Sequence, residues 1–151
     1  MVQRLGTDHR PPRRPCDRGS DELMTTWTVL GRVSLSAVPE SVGQARRFVA
    51  DVLGDTDRTA TAQLLISEAC TNSVKHSDSR HGGSFTLTLF DCGSSLRCEV
   101  IDAGGPTLPA RRQGTDLRDH GHGIVLIEAL AVRSGYDIDE SGRLHTWFEL
   151  T

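Results

Sequence analysis

The chain has 151 residues and a mass of 16.5 kDa, which suits one domain with a sizeable core. It is 36% hydrophobic and 25% charged with a mean hydropathy of −0.32, and no apolar run approaches the roughly 20 residues that cross a bilayer. A net charge of −3 and a pI near 6.0 give no global basic field for a phosphate backbone, so direct nucleic-acid binding is not expected.

Residues 1 to about 23 mix Arg4, Arg10, Arg13, Arg14 and Arg18 with Pro11, Pro12 and Pro15. With no helical or strand period, this tail is expected to be disordered, and Met24 just after it is an alternative start. The tail has no apolar h-region, so a cytoplasmic protein with no membrane association is expected. The folded domain is expected over residues 24–151. All of the 17 basic residues except Lys75 are arginine, which suits a GC-rich bacterial genome. The four cysteines, Cys16, Cys70, Cys92 and Cys98, form no C-x-x-C pair and are expected as reduced thiols, Cys70 in the core.

From Trp27 to Ser36 apolar and β-branched residues nearly alternate, predicting a first strand. Pro39 opens a helix that carries Val42, Ala45, Phe48, Val49 and Val52 on one face and stops at Gly54. A second helix is predicted from about Asp57 to Ser77. Ser84–Asp91 and Leu96–Asp102 read as strands joined by the turn Cys92-Gly-Ser-Ser95. Residues 103–120 are rich in Gly, Pro, Arg and Asp, and a loop that long inside a small domain is usually functional or disordered. A third helix is predicted from Gly121 to about Val132, then strands at Tyr136–Ile138 and Leu144–Leu150. The order predicts an α+β fold with the helices packed on one face of a sheet.

Three places combine polar residues with an element boundary. In the second helix Glu68 and Asn72 lie four apart, about 40° from each other at the edge of the apolar face, and Lys75 and His76 extend that polar side by one turn. An amide oxygen beside a carboxylate could hold a metal and a water; the alternative is a solvated helix edge with an i,i+4 pair. Next, Asp102 ends an apolar strand and is followed by Gly104 and Gly105, which permit close approach of a ligand to the backbone, or simply make a turn. Last, His120-Gly-His-Gly-Ile124 opens the third helix, where glycines expose N–H groups to an anion such as phosphate. His120 and His122 lack a third metal ligand, so zinc is not expected.

Taken together, Glu-x-x-x-Asn in a helix, Asp-x-Gly after a hairpin strand, a loop, then Gly-x-Gly and a helix resemble the GHKL ATPase family over about Trp27 to Thr151. That resemblance implies the Bergerat ATP-binding fold, a two-layer α/β sandwich with three main helices on one face of a mixed, largely antiparallel sheet. It implies ATP and Mg2+ as cofactors. Asn72 would hold the Mg2+, Glu68 would be the general base, and Asp102 would read the adenine amine with Gly104 and Gly105 making room beside it. Gly121 and Gly123 would border the phosphates beneath an ATP lid at about residues 106–120. Lys75, His76, His122, Ile124 and Thr146 complete the implied nucleotide-binding set. The first glycine motif reads Asp-Ala-Gly-Gly-Pro and not Asp-x-Gly-x-Gly. His145 stands where relatives often carry a threonine two residues before Trp147, and Thr146 could take that part.

Within the family, a stand-alone module that opens with a short strand and a helix looks most like the anti-sigma-factor serine kinases. The implied partners are a sigma factor and an anti-anti-sigma protein of the STAS type, the latter phosphorylated on a serine; a homodimer is also compatible. Arg46 and Arg47 on the first helix are candidates for the partner face. Two alternatives are a switch that binds ATP and a partner without transferring phosphate, and an interaction scaffold that no longer binds nucleotide.

Overall fold

Residues 27–105 and 122–151 are described in the computed structural model. The expected tail at residues 1–23 and the expected lid at residues 106–120 lie outside them. The chain runs β1 (Thr28–Ser36), α1 (Glu40–Leu53), α2 (Asp57–His76), a 3₁₀ turn (Asp78–Arg80), β2 (Ser84–Asp91), β3 (Leu96–Asp102), α3 (His122–Leu130), β4 (Arg133–Ile138) and β5 (Leu144–Leu150). The strands form one sheet in the order β1-β2-β3-β5-β4, and all four pairings are antiparallel. This is the expected α+β sandwich.

Period-2 alternation decides which side chains meet the helices. Phe85, Leu87 and Leu89 on β2, Cys98 and Val100 on β3, and Phe148 and Leu150 on β5 are all buried in one cluster with Ala45 and Val49 of α1 and Ala62, Leu65, Ile66, Ala69 and Cys70 of α2. The β1 register shifts between Val29 and Gly31, and a Cβ on Gly31 would come within 2.9 Å of Val52 Cγ2, so the missing side chain lets α1 close on the sheet. The N-terminus of α2 is set by a capping box in which the Thr59 hydroxyl accepts from the Thr56 N–H at 3.3 Å.

Two sequence expectations shift. Helix α3 ends at Leu130, before the expected Val132, because the Val132 N–H already donates to Glu149 O at 2.8 Å. Strand β4 starts at Arg133 and not at Tyr136. Ser134 and Gly135 hid its first half, since neither favours a strand. Gly135 is there because a Cβ would meet Trp147 Cζ2 at 2.8 Å. Cys70 and Cys98 are free and buried, as expected, with burial pushing the Cys70 thiol up to about 12 and Cys98 higher still. Cys92, in the turn between β2 and β3, is disulfide-bonded, which corrects the expectation of a reduced thiol. Among the described residues no helix is long and apolar enough to cross a membrane.

Candidate functional site

The C-terminal half of α2 carries the first group. Leu65, Ile66, Ala69, Cys70 and Ser73 face the sheet and are buried, which leaves Glu68 and Asn72 half-buried at the rim, one turn or about 6 Å of helix axis apart. Neither side chain makes a hydrogen bond or ion pair among the described residues. Lys75 is exposed and His76 half-buried; the Arg80 guanidinium donates to the Lys75 carbonyl at 3.1 Å and satisfies one of the last carbonyls of the helix.

The loop after β3 is tied to this helix end. Asp102 is 4% exposed. Its Oδ2 accepts from the Ser73 hydroxyl at 2.6 Å and its Oδ1 from the Gly104 N–H at 2.8 Å. The Asp78 N–H and the Ser77 hydroxyl donate to the Gly104 carbonyl at 2.7 and 3.2 Å, and the Ala103 N–H donates to Ser79 Oγ at 2.9 Å. Gly104 has φ +74°, and a Cβ on it would lie 2.5 Å from the Gly142 carbonyl. A Cβ on Gly105 would lie 2.9 Å from the His76 carbonyl. The space beside both α-carbons is therefore filled by protein backbone: the β4–β5 turn on one side, the end of α2 on the other.

The buried serines Ser73, Ser77 and Ser79 were not singled out in the sequence as site residues. A serine has no apolar reason to occupy a buried helix position, so Ser73 on the core face of α2 was the available signal.

Register separates Thr146 from His145. Asp102 pairs with Leu144 and Val100 with Thr146, so Thr146 shares the sheet face of Asp102 while His145 points to the opposite face. There His145 Nδ1 lies 2.8 Å from Glu99 Oε1 and Nε2 lies 3.1 Å from Asp139 Oδ2. The bond to Glu99 raises the His145 pKa, burial opposes this, and Asp139 adds to the rise.

The family of histidine kinase-like ATPase domains matches residues 35–146, more than half of the chain. The chain belongs to that family. Among solved structures, the RsbU and RsbW domains of Rv1364c from Mycobacterium tuberculosis share the fold of this ATPase domain, with a TM-score of 0.56 and 18% identity over 79% of this chain. The likeness covers 32% of that chain, so this domain spans about a third of its length. No curated protein matches the sequence significantly.

Helix α3 packs on α2 and begins at His122, with Gly123 and Ile124 in its first turn; Gly121 lies outside the described residues. Arg46 and Arg47 are exposed on α1, and the Gln63 amide donates to the Arg46 carbonyl at 2.9 Å. A cavity of about 160 Å³ lined by Leu30, Leu53, Thr56, Arg58, Asp91 and Leu96 lies at the β2–β3 turn, the opposite end of β3 from Asp102, and is not this site.

The donor set suits Mg2+ carried in with a nucleotide. Among the described residues no group of three His, Cys, Asp or Glu could hold a metal on its own. Mg2+ keeps few protein ligands when phosphates and waters supply the rest, and the Asn72 amide oxygen, which has no partner among the described residues, could serve as one.

Proposed function

We propose that this domain binds Mg-ATP and acts as an anti-sigma-factor serine kinase, passing the γ-phosphate to a serine hydroxyl of a STAS-type anti-anti-sigma protein. One observation carries the reading: Glu68 and Asn72 have no partners among the described residues, and Ser73, the residue after Asn72 on the same helix, holds Asp102. Base recognition and phosphate chemistry thus share one rigid element, which reduces misplacement of the reacting groups. The fold shared with a chain that contains an RsbW domain supports the same reading.

In this scheme Asp102 accepts a hydrogen bond from the adenine amine, with Thr146 on the same sheet face. Glu68 accepts the proton of the attacking serine hydroxyl. Asn72 holds the Mg2+, which when bound neutralises charge on the phosphates. Lys75 and His76 stand one turn beyond Asn72, toward the phosphates. His122, Gly123, Ile124 and Gly121 flank the phosphates from the start of α3, where helix N–H groups favour an anion. Residues 106–120 serve as the lid, and Arg46 and Arg47 contribute to the partner face.

The test is transfer of label from γ-labelled ATP to STAS-domain proteins of the same genome, with wild type and Glu68→Gln. The expected result is Mg2+-dependent serine labelling that falls at least about 100-fold in Glu68→Gln, within the range of a general base, with ATP affinity retained. Retained partner binding with no labelling by wild type would replace the kinase with a non-catalytic switch.

A further inference from the structure

Ser73 follows Asn72 directly and is 2% exposed, packed with Ala69 and Cys70 on the core face of α2. Its Oγ lies 2.6 Å from Asp102 Oδ2 and 3.3 Å from the Ala69 carbonyl. A hydroxyl has one proton, and the shorter contact to a carboxylate takes it. The other carboxylate oxygen is occupied by the Gly104 N–H. Asp102 is therefore gripped at both oxygens by donors on different elements, and only one of those donors is a side chain.

We propose that Ser73 is a positioning residue for base selectivity: it aims the Asp102 carboxylate at an exocyclic amine of the bound base. This rests on the reading of Asp102 as the base contact. An ionised carboxylate has about four lone-pair sites and no donor. With one site on each oxygen filled, the remaining sites can only accept, so the matching ligand atom is an N–H. A 6-aminopurine supplies it and a purine without that amine does not. Without the Ser73 hydroxyl the Gly104 bond alone remains, and the terminal torsion of an aspartate is broad, so Oδ2 loses its fixed direction.

The test is calorimetric binding of ATP and of purine riboside triphosphate, which lacks the 6-amino group, to the full chain in Mg2+. Wild type is expected to favour ATP by about tenfold, the scale of one hydrogen bond to a charged group. Ser73→Ala is expected to bring that ratio to about threefold or less, while Ser73→Thr, which keeps the hydroxyl, preserves it. Asn72→Ala is expected to weaken both triphosphates by the same factor and leave the ratio alone. If Ser73→Ala weakens both triphosphates equally, Ser73 is structural and the inference is overturned. Should Ser73→Ala not fold, Ser73→Cys, nearly isosteric with a weak donor, carries the same expectation. A wild type that binds both triphosphates equally overturns base reading by Asp102, and this inference with it, while sparing the phosphate site. A wild type that binds neither overturns the proposed nucleotide site itself.

Discussion

The two faces of the sheet hold the molecule together by different means. Toward the helices, Phe85, Leu87, Leu89, Cys98, Val100 and Phe148 form an apolar layer that ends at the buried carboxylate of Asp102. On the opposite face Arg97 is 4% exposed and lies 3.4 Å from Glu149, 3.6 Å from Glu99 and 4.1 Å from the centre of the Trp147 ring. Arg133 also reaches Glu149, at 3.2 Å, and the Trp147 indole N–H donates to Asp137 at 3.2 Å. Burial lowers the Arg97 pKa from its ordinary value, while Glu99 and Glu149 raise it. The apolar face gains from area removed from water and tolerates changes of shape. The charged face is worth little as a whole, and much is lost when one member is removed. The candidate site lies on the apolar side, where Asp102 sits in a dry wall beside the Ser73 hydroxyl and the Gly104 N–H.

Single deletions should affect both faces strongly, for different reasons. Phe148→Ala is expected to cost about 3–5 kcal/mol in urea unfolding by leaving a cavity. Arg97→Ala is expected to cost about 2–3 kcal/mol by taking the most buried cation from beside Glu149 and Glu99, which among the described residues keep only Arg133 and His145. The contrast sharpens in the double variant Arg97→Met with Glu149→Leu, which should recover most of that loss. Arg97 Nε is buried and has no hydrogen-bond partner among the described residues, so the charged pair starts with an unmet cost. If the double variant stays as unstable as Arg97→Ala, the charged face contributes net stability and the comparison fails.

A smaller effect separates two glycines. Gly54 and Gly104 both have positive φ, but a Cβ at Gly54 meets nothing within 4 Å, whereas at Gly104 it meets the Gly142 carbonyl at 2.5 Å. Gly54→Ala is expected to cost about 1–2 kcal/mol from backbone strain alone. Gly104→Ala should cost more in chemical denaturation and weaken ATP binding as well, because the loop that carries Asp102 must move. Equal costs, with binding unchanged, would count against the close approach of the β4–β5 turn.

The smallest effect is pH dependence on the charged face. Bonds to Glu99 and Asp139 raise the His145 pKa, so its stabilising contribution is full below about pH 6.5 and is lost as pH rises through the folded value. Burial pushes Glu99 up, but His145 and Arg97 outweigh it and hold it below its ordinary value. Asp139 is held low chiefly by His145, with Arg143 and Ser141 assisting. The two carboxylates therefore contribute above about pH 4.5 and lose that contribution as pH falls. The cluster is at its best between these limits. Unfolding free energies from urea titrations at pH 5.5 to 8.5 should fall by about 0.5–1 kcal/mol more in wild type than in His145→Gln. Parallel profiles would remove His145 from the account.

The two faces were unequally legible in the sequence. The helix-side residues repeat at 2 and 3.6, so β2, β3 and β5 were readable with their boundaries, and the candidates stood out as polar departures, Glu68 and Asn72 at the edge of the apolar face of α2 and Asp102 at the end of β3. The start of β4 was not, because Gly135 is chosen by the Trp147 ring across the sheet, a contact with no local pattern. Ser73, Ser77 and Ser79 look like an ordinary helix end until the fold brings Asp102 and Gly104 against them. The pairing of His145 with Glu99 and Asp139 depends on sheet register, which no single strand encodes.

The central claim is that the apolar face ends in a site for Mg-ATP, and the most direct measurement is thermal unfolding of wild type and Asn72→Ala with and without Mg-ATP. At about 100 times Kd a ligand adds roughly 2.7 kcal/mol, which for a domain of this size raises Tm by about 5–10 °C. The predicted result is a rise of that size in wild type that requires Mg2+ and is lost in Asn72→Ala. A folded wild type with an unchanged Tm at millimolar Mg-ATP would contradict the account and leave a protein-interaction scaffold.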